Sequence, residues 1–327
     1  MAEKQKIQWL AVLQGFSMLL VVIGHVTLTN IPFDPNTPIA SGIQSVIYSF
    51  HMPLFIFISG WLFYYTCISR SKSYKDVLIS KVKRLAVPFL FFTLFTMILK
   101  LTFPQLMNRI VDWKEIIDTF VFFRSNPLGE MWFIIVLFEL MLLYPLYRII
   151  LNNIHITIVV LLATIVLSRF APPISYFYIE QVFYMFPFFF AGIICCKYEY
   201  HKVIAKSWFL ILISLLFVLC NILRLIPDFM SIEIAFTGIL FSMSLCLLIG
   251  KHFPTMFSSF RDYTFQIFLL GIFFQMVVRW GYVKMGNEEL FIPMWLFSVV
   301  IGIYIPTLIA ICIRRFAPSY IRLCFGL

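Results

Sequence analysis

The chain is built of apolar runs separated by short polar segments, and their lengths decide what it can become. Candidates lie at about 8–29, 44–66, 86–103, 131–147, 154–168, 182–196, 207–225, 232–250, 263–280 and 291–313. A helix crosses the hydrocarbon layer with about 20 residues. Lipid offers no partner to backbone N–H and C=O groups, so a spanning segment must satisfy its own, as a helix does. Prolines and glycines inside the runs (Pro53, Pro88, Pro145, Pro187, Gly192) fit this reading, because neighbouring helices can take up the freed backbone groups.

Composition closes the alternative of a soluble core. Hydrophobic residues are 62% of the 327 and charged residues only 12%; a soluble domain is about half apolar and a quarter charged. Too few polar groups exist to coat a water-soluble surface. The expected fold is therefore all-α, a polytopic membrane protein of about ten transmembrane helices, forming a single domain over residues 1–327. The basic N-terminus "MAEKQKIQWL" leads into an apolar run with no small-residue cleavage site, which reads as a retained first span.

The net charge of +10 is a topology signal rather than a nucleic-acid footprint. Were the N-terminus cytoplasmic, the inner segments would hold Lys4, Lys6, the loop "RSKSYKDVLISKVKR", Arg148, Lys197, Lys202, Lys206, Lys251, Arg261, Arg314, Arg315 and Arg322, seventeen of the twenty-five basic residues. This bias obeys the positive-inside rule with both termini cytoplasmic. No basic-aromatic nucleic-acid motif occurs. Seven cysteines without CxxC or Cys/His spacing speak against a disulfide framework and a structural metal.

The longest piece between spans covers about residues 104–130. There Ile110, Trp113, Ile117 and Phe120 recur at helical spacing, with Arg109, Asp112, Lys114, Glu115 and Asp118 between them. This predicts an amphipathic helix on the outer surface, or a lid over an opening between helices.

Two of only five histidines lie in apolar runs: His25 closes "MLLVVIGH" and His51 opens "HMPLFIFISGWLF". An intramembrane imidazole is costly unless it has a partner or a task. With the short loop between spans 1 and 2, both rings are expected at similar depth in the outer half of the bilayer. One reading is structural, each ring bonding a carbonyl and packing helices. The other is proton transfer, for which histidine is the best suited side chain near neutral pH.

"LLVVIGHV", then "FHMPLFIFISGWLF", then the basic "KVKRLAVPF" together resemble the acyltransferase 3 family of membrane acyltransferases. The branch of fucose 4-O-acetylases and similar polysaccharide O-acetylases is the nearest in pattern. "EMWFIIVLFELMLLYPLY" and "YMFPFFFAGIICCKY" resemble two later spans of that family, so the resemblance covers essentially the whole chain.

The resemblance implies a multi-pass enzyme of the bacterial inner (plasma) membrane. It would take an acyl group, usually acetyl, from cytoplasmic acyl-CoA (acetyl-CoA) and place it on a hydroxyl of an extracytoplasmic glycan or lipid-linked sugar. His25 matches the family's catalytic histidine, and Lys81 and Arg84 match its Arg-x-x-Arg motif, with Lys83 between them. Such cations suit CoA phosphates, Arg bidentately and Lys as a point charge; an ordinary positive-inside loop would look the same. About 30 Å of helix separates His25 from Lys4 and Lys6, a gap much of which CoA's pantetheine arm can bridge.

His25 would act as general base or as a covalent acyl carrier. His51 would orient it, bind the acceptor or stabilise the oxyanion. Glu139, deep in span 4, would orient a histidine, bind sugar hydroxyls or partner a buried base. Glu130 and Trp132 suit a sugar-binding rim. The chain departs from the family at Gln14, where a basic residue is usual, at Ala11, where Asp is usual, and at Gly271, where many relatives carry histidine. Gln14 can still donate to a carbonyl or phosphate. A transporter or flippase for glycan precursors, or a non-catalytic partner in surface-polymer assembly, remains the alternative class.

Overall fold

The structure, a computed structural model, describes residues 2–28, 38–102, 116–121, 129–170, 174, 176–223 and 231–327. No β-strand occurs among them. In chain order the helices are α1 (Ala2–His25), α2 (Pro38–Tyr48), α3 (His51–Phe63), α4 (Tyr74–Lys81), α5 (Val87–Thr102), α6 (Ile116–Val121), α7 (Trp132–Leu142) and α8 (Tyr144–Ile150). They continue as α9 (Ile154–Arg169), α10 (Ile179–Lys197), α11 (His201–Ile204), α12 (Ser207–Leu223), α13 (Ser231–His252), α14 (Thr264–Met285), α15 (Phe291–Phe316) and α16 (Ser319–Cys324).

Among the described residues seven helical stretches are long and apolar enough to cross a membrane: Gln8–His25, Ile39–Ile68, Tyr74–Thr102, Ile179–Lys197, Ser231–His252, Arg261–Met285 and Glu288–Phe316. The pair Gly129–Leu142 and Tyr144–Ile150, bent by 52°, makes an eighth if taken as one span, and two shorter apolar helices are Ile154–Arg169 and Ser207–Leu223. The chain is thus an all-helical polytopic membrane protein, and each predicted run overlaps one of these stretches. No disulfide joins any of the seven cysteines, all of which are among the described residues.

Two boundaries differ from expectation. The second span begins at Ile39 rather than 44 and is interrupted at Ser49–Phe50, so His51 opens α3 instead of lying inside one unbroken helix. The basic segment read as a loop is helical from Tyr74 onward. Ser73 caps it by accepting from the Asp76 N–H at 3.1 Å while its hydroxyl donates to the Asp76 carboxylate at 2.7 Å, a capping arrangement that satisfies otherwise orphaned donors. Of the expected amphipathic segment only α6 is described, with Phe120 edge-on to Phe89 at 6.2 Å; Arg109, Ile110, Asp112, Trp113, Lys114 and Glu115 lie outside the described residues.

The helices gather into two units, Met1–Ile58 with Glu199–Ala317, and Ser59–Tyr198 with Pro318–Leu327. In the first, α1 packs against α13, α14 and α15. Small residues permit the close approaches, as is usual where lipid supplies no hydrophobic drive between helices. A Cβ on Gly238 would stand 2.5 Å from the Phe50 ring, and one on Gly271 would stand 2.9 Å from the carbonyl oxygen of Gly302.

In the second unit the α7–α8 bend falls where Pro145 sits in the first turn of α8. Proline has no N–H and its ring crowds the carbonyl four residues earlier, which breaks a helix there. The Tyr147 hydroxyl donates to the nearby Leu140 carbonyl at 3.0 Å. Phe63, Tyr144, Tyr147, Phe189 and Phe190 form a buried aromatic core around this bend. At its edge Gly60 meets α10 so closely that a Cβ would lie 2.0 Å from the Phe189 carbonyl oxygen.

Candidate active site

The first unit brings the two intramembrane histidines together. The ring centroids of His25 and His51 are 5.8 Å apart, edge to face at 77°. His25 is half-buried and His51 is only 2% exposed. Each ring is tied to the carbonyl one turn before it: His25 Nδ1 to Val21 at 2.8 Å and His51 Nδ1 to Ile47 at 2.9 Å. A carbonyl only accepts, so each Nδ1 carries the proton and donates. In a neutral ring held this way Nε2 is the basic atom, the form a general base needs. His51 Nε2 is buried and has no hydrogen-bond partner among the described residues.

Side chains from distant elements secure the end of α1 that carries His25. The last carbonyls of a helix have no intrahelical partner, and here they lie in an apolar interior. Gln44 of α2 donates through Nε2 to the Gly24 carbonyl at 2.8 Å and to the Val26 carbonyl at 3.2 Å. Gln275 of α14 donates to Val22 at 2.9 Å, and the Val26 N–H turns back to Ile23 at 3.3 Å. The negative end of the α1 dipole thus lies beside His25, where it favours a cation.

Tyr48, the last residue of α2, completes the cluster. Its ring centroid lies 5.6 Å from that of His25 and 4.9 Å from that of His51. Gly24 makes the room: a Cβ there would lie 3.0 Å from Ile47 and 3.4 Å from the Tyr48 ring. Tyr48, Gln44 and Gln275 escaped the sequence reading. The only hint was polar groups recurring in apolar runs, Tyr48 three residues and Gln44 seven residues before His51.

The second unit gathers the cations. Lys81 ends α4, and Lys83 and Arg84 sit on the π-helical turn Val82–Ala86 that follows. Lys81 Nζ stands 5.4 Å from the centre of the Phe63 ring. A second π-helical turn, Tyr64–Ile68, begins directly after Phe63; such widened turns recur at functional sites. Two further cations, counted in the sequence only as topology signals, join the set. The Tyr144 hydroxyl donates to the Lys72 carbonyl at 2.6 Å, and the Arg148 guanidinium lies over the Tyr144 ring at 5.9 Å. Lys72, Lys83, Arg84 and Arg148 are exposed, while Lys81 is half-buried.

Gln14 is half-buried on α1, eleven residues before His25, or about 16 Å along the helix axis; its carbonyl accepts from the Ser17 hydroxyl at 2.9 Å. Glu139 is half-buried in mid-α7 of the second unit. Glu130 lies in the 3-10 turn Gly129–Met131 and Trp132 is the first residue of α7, about two turns from Glu139. Gly271 is filled from the side of α15 by the Gly302 backbone, so the position where many relatives carry histidine is a helix contact here.

Comparison with curated proteins and with solved structures returns no match. Comparison with family models returns the acyltransferase domain of the acyltransferase 3 family, matched over residues 7–311. The matched region includes both histidines, the basic turn and every other candidate residue named above. The chain belongs to the acyltransferase 3 family and is a membrane acyltransferase.

Proposed function

We propose that this membrane acyltransferase moves an acyl group, acetyl in the first instance, from cytoplasmic acyl-CoA to a hydroxyl of an extracytoplasmic glycan or lipid-linked sugar. The acceptor would be of the kind used by the fucose and polysaccharide O-acetylase branch. One observation carries the reading: His25 is held by its Nδ1–H on Val21, against a second imidazole, which makes Nε2 the basic atom of the neutral ring. His25 takes the proton of the acceptor hydroxyl as that oxygen attacks the thioester carbonyl. The α1 dipole and the Nδ1–H bond to Val21 both strengthen as the ring becomes a cation. His51, buried and tied to Ile47, holds the pair in register. Lys81, Lys83 and Arg84 bind the CoA phosphates, the guanidinium in two-pronged fashion. Gln14 adds a neutral donor for a carbonyl or phosphate, and Glu130, Trp132 and Glu139 contact sugar hydroxyls.

The test is mass spectrometry of the cell-surface glycan from cells carrying the wild-type chain, His25→Ala or no chain. An acetyl ester adds about 42 Da and a succinyl ester about 100 Da, because the acyl group replaces a hydroxyl proton. The increment should vanish with His25→Ala although the protein stays in the membrane. Acylation that persists unchanged refutes His25 as base. Glycan export that depends on the chain while acylation does not would establish a transporter instead.

A further inference from the structure

The second unit holds a set of cations without counter-charge. Among the described residues no carboxylate pairs with Lys72, Lys81, Lys83, Arg84 or Arg148. The one acid on α4, Asp76, is taken by the Ser73 hydroxyl at 2.7 Å. Lys72 and Arg84 are the cations whose charge reaches Lys81. Cations held this close repel one another until an anion joins them. The rings among them decide what kind of anion. Tyr144 links the set: its hydroxyl donates to the Lys72 carbonyl at 2.6 Å, and the Arg148 guanidinium lies 5.9 Å from its ring centre. Phe63, which carries Lys81 over its face, meets Tyr144 edge-on at 5.9 Å. Tyr74 lies nearly parallel to Tyr144, at 16° and 6.4 Å.

We propose that Tyr74 is the stacking platform for the adenine of the acyl-CoA donor, with Arg148 holding the 3′-phosphate and Lys72, Lys81 and Arg84 the diphosphate. The proposal rests on the reading of acyl-CoA as donor and of the basic turn as its phosphate site. Tyr144 is 1% exposed and Tyr74 42%, so Tyr74 is backed by a fixed ring and otherwise open. The Ser73 cap, immediately before it, fixes the turn from which it projects. An open aromatic face beside unpaired cations is what holds a base and its phosphates together.

The spacing fits the ligand. Tyr74 and Lys81 are seven residues apart on α4, which puts them on one helix face, two turns or about 10 Å apart. In CoA one ribose joins the adenine to both phosphate groups. The 3′-phosphate leaves the ribose near the base, while the diphosphate runs from the 5′ carbon towards the pantetheine arm. Arg148 stands over the ring that backs Tyr74, and Lys81 stands over Phe63, one ring further on. An anionic lipid headgroup would use the same cations but not the stacked pair of tyrosines.

The experiment uses the full chain in vesicles of neutral lipid. Equilibrium dialysis measures binding of 3′-phosphoadenosine 5′-diphosphate, the nucleotide part of CoA. Ester formation on the host's surface glycan, stripped of its esters by mild alkali, is followed with acetyl-CoA and with acetyl-pantetheine 4′-phosphate, which lacks the nucleotide. Tyr74→Leu should weaken nucleotide binding and raise KM for acetyl-CoA by about 10–100-fold, the worth of one base stack, without a matching rise for the truncated donor. Tyr74→Trp, which keeps a stacking face, should retain binding. Arg148→Gln should weaken nucleotide binding by about 10-fold, the worth of a charge-assisted bond, but not binding of adenosine 5′-diphosphate, which has no 3′-phosphate. Wild-type nucleotide binding in Tyr74→Leu overturns the proposal. So does an equal rise in KM for both donors, which would mean a displaced α4. Nucleotide binding that both substitutions leave intact and that added anionic lipid abolishes gives the cations to a headgroup and overturns it too. If the wild-type chain binds the nucleotide through Tyr74 but forms no ester, the proposed function falls and the nucleotide site stands; if it forms ester and Tyr74→Leu matches it with both donors, only the role of Tyr74 falls.

Discussion

Replacing Gln44 should separate the packing of α2 from its task of holding the end of α1. Gln44 is 8% exposed, and its Nε2 serves the carbonyls of Gly24 at 2.8 Å and Val26 at 3.2 Å. Gln44→Met keeps length and apolar stem but removes the donor. A buried carbonyl left without a partner costs about 1–3 kcal/mol, and in a lipid-surrounded interior no water replaces the lost amide. The 3.2 Å bond is the weaker, so the two together should cost about 2–4 kcal/mol. Gln44→Glu should be worse than Gln44→Met, because a carboxylate would set acceptor oxygens against acceptor oxygens. The assay is the unfolding midpoint in mixed detergent–SDS micelles, with acyl-transfer kcat on the same samples. Since His25 is the residue between Gly24 and Val26, kcat should also fall, by about 10–100-fold for an ångström-scale displacement. A loss in Gln44→Met below about 0.5 kcal/mol, less than one ordinary hydrogen bond, or Gln44→Glu as stable as wild type, would refute the reasoning.

Gly60→Ala should destabilise the second unit by about 1–3 kcal/mol, the usual cost of overpacking, because its Cβ would lie 2.0 Å from the backbone oxygen of Phe189, which cannot swing away. Gly42→Ala, with nothing within 4 Å of the added carbon, is the control and should be neutral or stabilising by up to about 1 kcal/mol through helix propensity; equal melting of the two variants would contradict the assigned contact. Lys81→Ala and Arg84→Ala should each raise KM for acetyl-CoA by about 10–100-fold, the worth of a charge-assisted bond, with kcat less affected. Arg84→Lys should restore only part of that, since the two-pronged grip is lost; kinetics at varied acetyl-CoA with unchanged KM in all three would remove these cations from the donor site.

Much of the fold was legible because hydrophobic length is a one-dimensional property. The ten runs are visible without knowing what any helix touches, and each overlaps a helical stretch. The pairing of His25 with His51 was also within reach, since a short loop makes consecutive spans neighbours. The capping pattern of Ser73 with Asp76 was present in the sequence, yet the density of basic residues after it read as loop. A π-helical turn leaves no comparable mark in a sequence pattern, so Val82–Ala86 could not have been anticipated.

Other features had no local trace. Gln275 meets Val22 across 253 residues, and no periodicity says which carbonyl a buried amide will find. Tyr48 reads as one more aromatic in a chain with 39 phenylalanines and 15 tyrosines, until the gap at Gly24 and the break at Ser49–Phe50 bring it against both imidazoles. By itself the sequence determined that this chain is a bundle of apolar helices with imidazoles inside it, because burial in lipid is a matter of segment length and composition. Which carbonyls the amides of Gln44 and Gln275 serve, and that the two imidazoles meet edge to face, were decided only by tertiary structure, because such contacts depend on ångström-scale placement of groups that the chain keeps far apart.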